Sequence, residues 1–192
     1  MTRLLACVRG ALFRLAATRN PHRIQIAPGL ELYGKLEIRG PGCVQIGRNC
    51  VVGRMPGNRS HYVTLYTHSS QARIVIGNDA RLFAARISCK YSVEIGDNIL
   101  IEEAGIRDTD FHSLDKGHGD PIGETIERCR VVIGNRVGIA SRSMIAKGVT
   151  IGDDVVVGPG SIVIRSVPDR CFVIGNPARI LEPRSLPTRL PR

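Results

Sequence analysis

From Ile133 an aliphatic residue returns at every sixth position, as Ile133, Ile139, Ile145, Ile151, Val157 and Val163, and glycine or alanine follows each of the first five. An α-helix cannot use this period, because six residues on a 3.6-residue turn carry the side chain to another face. The pattern predicts a β-helix. Each hexad is a short strand and a corner, with the aliphatic side chain inward and the small residue tolerating the turn. Three hexads close one triangular coil, so Ile133 should lie beneath Ile151 at the strand spacing of about 4.8 Å. A single coil cannot bury its own aliphatic face; stacking supplies the core.

The beat extends backward less regularly, through Ile46, Ile76 and Ile95. Ile46 and Ile76 are 30 residues apart, five whole hexads, which leaves 54–73 as either coil in register or a loop. Ile76 to Ile95 is 19, one residue over the period, and implies a bulge at a corner. Ile95, Ile101 and Arg107 step by six again.

Composition agrees with thin, repetitive layers: aromatic residues are 4% of the chain, tryptophan is absent, and 21 of the 192 residues are glycine. That length holds one domain with short appendages. The sequence divides into an N-terminal amphipathic helix (1–20), the β-helix (21–180) and a basic tail (181–192) rich in arginine and proline. In the first segment Leu4, Leu5, Val8, Leu12 and Leu15 recur at helical spacing, while Arg9 and Arg14 cut the apolar run too short for a secretory leader or a membrane span. Such a helix packs on the domain, on a partner subunit, or, with its basic polar face, on a membrane surface.

The formal net charge of +10 favours anionic partners: nucleotide phosphates, nucleic acid or acidic lipid. Nucleic acid is not expected, because stacking aromatics are scarce and neither a helix-turn-helix nor a zinc-finger spacing occurs. The six cysteines form no C-x-x-C pair, so neither a disulfide framework nor a zinc site is written, and reduced thiols in cytoplasm are expected.

One stretch breaks the rhythm. RDTDFHSLDKGHGDPIG, residues 107–123, lies within an excursion from about 108 to 130 that lacks the aliphatic beat. Long loops inside a compact repeat are disproportionately functional. His22, His61 and His68, elsewhere in the chain, have no supporting neighbours in sequence, and surface or packing roles are expected for them.

The run IGNRVGIASRSMIAKGVTIGDDVVVGPGSIVIRSVPDRCFVIGNPARIL resembles the hexapeptide-repeat acyltransferases, in particular the sugar and polysaccharide O-acetyltransferase branch, over roughly the last two thirds of the chain. The resemblance implies a left-handed β-helix, a homotrimer, acetyl-CoA as donor without a metal, and a saccharide hydroxyl acceptor in surface polysaccharide or lipopolysaccharide assembly. It makes His112 the general base. A sugar hydroxyl is too weakly acidic to attack a thioester unaided, and a neutral imidazole can take its proton as the bond forms. A carboxylate should orient the ring; Asp108, Asp110 and Asp115 are near in sequence, with Asp110 preferred and His118 the reserve base. For CoA the matching positions are Ala140, Ser141, Pro159 and Gly160, with Arg165 and Arg179 for phosphate. Pro159 lacks the N–H that an alanine would offer there. Acceptor contacts are expected from Phe111, Arg107, Glu102 and Glu103, and FVIGNPARILEP resembles the terminating element that covers the solenoid's open end.

Three alternatives accompany this expectation: transfer to the amine of an amino sugar, a zinc hydratase similar to γ-type carbonic anhydrases, and a non-catalytic scaffold. The zinc reading needs three histidines. The spacing of His112 and His118 does not match that family's histidine pair.

Overall fold

The computed structural model describes residues 2–55, 61–110 and 123–181. Helix α1 (Arg3–Ala17) precedes a left-handed parallel β-helix, whose three flat sides we call faces A, B and C in chain order. Face A stacks Ile26, Ile46, Ile76, Ile95, Ile133 and Ile151 in register. Face B stacks Leu32, Val52, Leu82, Ile101, Ile139, Val157 and Val173, and face C stacks Ile38, Leu65, Ile87, Ile106, Ile145 and Val163. With few exceptions these columns are buried to within a few per cent, and they form one continuous aliphatic core.

Two steps in the sequence count need correction. Ile46 pairs directly with Ile76, so those 30 residues make one coil rather than five in-register sides. The surplus leaves at two corners: before the face-C strand Val63–Thr67, where residues 56–60 fall outside the described segments, and again between that strand and Arg73–Ile76. The next inward residue after Ile101 is Ile106, not Arg107, because the B–C corner of that coil, like the one from Leu82 to Ile87 before it, is one residue shorter than the corner from Ile139 to Ile145 that follows. Arg107 is therefore exposed.

The A–B edge is held by a ladder of short polar side chains. Asn78 Oδ1 accepts the Arg48 N–H (2.9 Å), Asp97 that of Asn78 (2.6 Å), Asn135 that of Asp97 (2.9 Å), Asp153 that of Asn135 (2.7 Å) and Asp169 that of Asp153 (2.9 Å). Asn78, Asp97, Asn135 and Asp153 are the residues after glycine in the IGN and IGD hexads, Asp169 follows Pro168, and each satisfies an amide of the preceding coil that the corner leaves unpaired.

Helix α1 packs on the first coil through Ala6, Gly10 and Ala17. A Cβ on Gly10 would overlap the Leu30 carbonyl, so only glycine permits this approach. At the other end Phe172–Gly175 pairs in parallel with face B, and Ala178–Leu181 turns back antiparallel beside it. Past Leu181 the tail lies outside the described residues.

Candidate functional site

The excursion singled out in the sequence leaves the solenoid at the C–A edge, after the strand Gly105–Arg107, and returns through the short helix α2 (Ile126–Cys129). Its outgoing limb is fixed residue by residue. Asp108 is fully buried: its Oδ1 accepts the Lys90 N–H (2.7 Å), and its Oδ2 accepts the Tyr91 N–H (2.8 Å) and lies 3.2 Å from Cys89 Sγ. Asp108 thus closes the corner of the preceding coil. Burial, reinforced by the Asp108 charge, pushes the Cys89 thiol far above its ordinary range.

The two limbs meet at Glu124, whose side chain is 2% exposed. Its carboxylate accepts the Thr109 hydroxyl (2.7 Å), the Asp110 N–H (3.1 Å) and the Lys147 ammonium (2.9 Å). Lys147 also pairs with Asp110 Oδ2 at 2.5 Å. Burial pushes the Glu124 carboxyl up, but Lys147, the Thr109 hydroxyl and the Asp110 amide outweigh it and hold the group below its usual value. Burial works against the Lys147 charge as well, and its two carboxylate partners raise its pKa overall. The cluster is a charged clamp across the root of the excursion.

Asp110 therefore stands at the root, directly before Phe111. Phe111, His112, Asp115 and His118 lie outside the described residues.

The other expected residues collect on the B–C edge. Glu102, Glu103, Ala140, Ser141, Pro159 and Gly160 occupy successive corners, stacked by the bonds from Arg142 N to Glu103 O (3.0 Å), Ala140 N to Val157 O (3.0 Å) and Gly160 N to Ser141 O (2.9 Å). Ser143 and Ser161, both buried, tie this edge from behind by donating to the carbonyls of Ala140 and Gly158. In front the edge is open, since no atom lies within 4 Å of where a Cβ on Gly160 would stand. Glu103 adopts a left-handed backbone (φ 45°), and its Oε1 lies 2.8 Å from His61 Nδ1. His61, which has no supporting neighbour in sequence, thus has one in space. His22 and His68 are exposed.

Arg165 is exposed past the last face-C strand, toward the C–A edge, and Arg179 lies on the terminal hairpin opposite Ile174. Arg107 stands beside the excursion and away from Glu102 and Glu103. Within one chain the two groups of candidates occupy different edges, separated by the width of face C, on the order of 15 Å for the five residues from Glu103 to Asp108.

Sequence reasoning missed Glu124, Lys147 and the pairing of His61. For Lys147 a signal was present: it follows the hexad residue Ile145 at the C–A corner, the same corner that the excursion leaves. Among the described residues no three His, Cys, Asp or Glu side chains gather as a metal site.

The family described as bacterial transferase hexapeptide (six repeats) matches residues 130–165. The chain is 30% identical over 140 residues to the colanic acid biosynthesis acetyltransferase WcaF of Escherichia coli K12, covering 73% of this chain and 69% of that one. It is 36% identical over 95 residues to galactoside O-acetyltransferase of the same organism, and 33% over 108 residues to its lipopolysaccharide biosynthesis O-acetyl transferase WbbJ. The chain spans about half the length of these two relatives, 44% and 54% respectively. Among solved structures it is similar in fold to the N-acyltransferase AntD from Bacillus cereus in complex with dTDP and coenzyme A, with a TM-score of 0.62 at 19% identity over 82% of this chain and 83% of that one. A galactoside acetyltransferase in complex with coenzyme A gives a TM-score of 0.51 at 21% identity, over 92% and 80%.

Proposed function

The chain belongs to the bacterial hexapeptide-repeat acyltransferases, and on that premise we propose that it transfers acetyl from acetyl-CoA to a saccharide hydroxyl in surface-polysaccharide or lipopolysaccharide assembly. The observation that carries this reading is the division of the site. A histidine-bearing excursion is rooted by an ionic clamp around the buried Glu124 carboxylate on one edge, and an open, small-residue edge suited to a pantetheine arm lies across face C. A homotrimer that sets the C–A edge of one copy against the B–C edge of the next would bring the two halves together, with the donor between copies.

In that cleft the neutral imidazole of His112 takes the proton of the acceptor hydroxyl as its oxygen bonds to the thioester carbonyl carbon. The tetrahedral oxyanion collapses, the carbon–sulfur bond breaks, and the imidazolium returns its proton to the CoA thiolate. No covalent enzyme intermediate is needed. Asp110, two residues before His112 and held at the root by Lys147, is the carboxylate proposed to orient the ring. Asp108 is unsuited to that role, its oxygens being committed to Lys90, Tyr91 and Cys89. Arg165 and Arg179 are the proposed phosphate contacts, and Phe111, Arg107, Glu102 and Glu103 the acceptor contacts. Acetyl-CoA supply places the reaction in the cytoplasm; among the described residues no helix is long and apolar enough to cross a membrane.

An amine acceptor is the second reading. It is favoured by 41% identity over 51 residues to a dTDP-3-amino-3,6-dideoxy-alpha-D-galactopyranose 3-N-acetyltransferase of Aneurinibacillus thermoaerophilus. Turnover of acetyl-CoA with matched hydroxyl and amino sugars, followed by mass spectrometry of the products, separates the two. His112→Ala should lower kcat by about 10²-fold or more. A variant that keeps over a tenth of kcat overturns the assignment of the base.

A further inference from the structure

Helix α1 is mounted with its sides reversed relative to an ordinary surface helix. The face that meets the solenoid is made of the small residues Ala6, Gly10 and Ala17 with a half-buried Phe13, while the large aliphatic side chains point away from it. Leu4 is 77% exposed, Leu12 61% and Leu15 66%, and Leu5 and Val8 are about half exposed (49% and 47%). At 100° per residue these five fall in an arc of about 100° opposite the buried face. Arg9 borders one margin of that stripe, about 40° past Leu5, and Arg3 and Arg14 flank the other side about 80–100° past Leu4, beside the groove between the helix and the solenoid.

Charge is equally one-sided. Residues 2–23 contain Arg3, Arg9, Arg14, Arg19 and Arg23 and neither Asp nor Glu. The first turn of α1 carries no acidic residue, and Arg3 stands where the helix dipole disfavours a cation. Glu31, on the first coil, holds it there at 2.9 Å. Pairing this face with the same helix of a second copy would set arginine margins beside arginine margins. A surface that is apolar in the middle and anionic at the level of the arginines fits it on both counts, and a bilayer of acidic phospholipids has that profile.

We propose that α1 is an interfacial anchor, lying flat on an anionic membrane with Leu4, Leu5, Val8, Leu12 and Leu15 among the acyl chains and its arginines at the lipid phosphates. The helix is 15 residues long and lies in the plane of the surface rather than across it. This docking is independent of the group that the solenoid transfers, so loss of acetyl transfer leaves it standing, and the reverse.

Flotation of the full-length chain with phosphatidylcholine vesicles containing 30% phosphatidylglycerol tests it, against pure phosphatidylcholine and with sedimentation velocity of every variant. The wild type should float with the anionic vesicles and bind the neutral ones far more weakly. Arg9→Gln with Arg14→Gln should weaken binding about 20-fold, at roughly fivefold per arginine near the surface. Leu12→Glu with Leu15→Glu should weaken it by about a hundredfold or more, and both positions are exposed enough to leave the fold intact. Because the chain has no tryptophan, Leu12→Trp supplies a second readout, a blue shift of emission on adding anionic vesicles. The proposal is overturned if the wild type does not float, if the glutamate variant floats equally well, or if Leu12→Trp emission does not move. It is equally overturned if the glutamate variant breaks the oligomer in solution, since a second copy would then own this face.

Discussion

Removing the Glu124 carboxylate should loosen the root of the excursion while leaving the coils standing. In Glu124→Ala four bonds go at once, from the Thr109 hydroxyl, the Asp110 N–H, the Lys147 ammonium and, at 3.5 Å, the Tyr91 hydroxyl. A hydrogen bond to a charged group contributes about 1.5–3 kcal/mol, and breaking a buried ion pair from one side costs about 3–5 kcal/mol. Here the penalty is smaller. The Lys147 side chain is 32% exposed and keeps Asp110 as a partner, so the expected loss is about 2–4 kcal/mol in urea denaturation at pH 7. Glu124→Gln keeps the shape and can still accept one donor, and about 1–2 kcal/mol is expected.

The pH dependence has a definite direction. The folded carboxyl lies below its ordinary value, so its contribution is complete above the unfolded pKa of about 4.3 and is lost as pH falls through the folded pKa. The gap between wild type and Glu124→Ala should therefore close below about pH 4. On the proposed reading Glu124 is a positioning residue for the excursion and acetyl-CoA binds across face C, so kcat should fall while KM for acetyl-CoA changes little. Equal stability of the two proteins to within about 0.5 kcal/mol at pH 7, or a gap unchanged at pH 3, would refute the clamp.

Asn135→Ala strands the Asp97 amide and removes a contact to Asp153; a loss of about 1–2 kcal/mol by thermal or urea unfolding checks the A–B ladder. Iodoacetamide at neutral pH should alkylate the exposed Cys7 in the native protein and spare Cys89, whose buried thiol is held far above its ordinary pKa; peptide mass spectrometry before and after unfolding reads both.

The solenoid was legible in sequence because its core is periodic: the register Ile133, Ile139, Ile145, Ile151 maps directly onto faces A, B, C and A. Counting in sixes fails where corners differ in length. Arg107 falls on the beat but Ile106 enters the core, and the 30 residues from Ile46 to Ile76 are divisible by six only by coincidence, since two corners share the surplus. The candidate site was legible as a location rather than as a network. Asp108, Asp110 and Asp115 are equivalent in a string of letters, and only folding shows that Asp108 reaches back to close the coil before it. Glu124 and Lys147 meet across 23 residues, and His61 and Glu103 across 42, distances at which neither spacing nor composition carries a signal.

The amide-capping bonds of the A–B ladder point one way along its whole length: each Asn or Asp oxygen accepts from the coil before its own, and only the Asn78 and Asn135 side-chain amides add a bond to the coil after. A tube joined in this manner is modular. Duplicating one coil with its corner Asn or Asp adds a rung and strands no amide, so the protein's length, and with it the gap between helix α1 and the clamp at Glu124, is adjustable in steps of one strand spacing without redesigning either end.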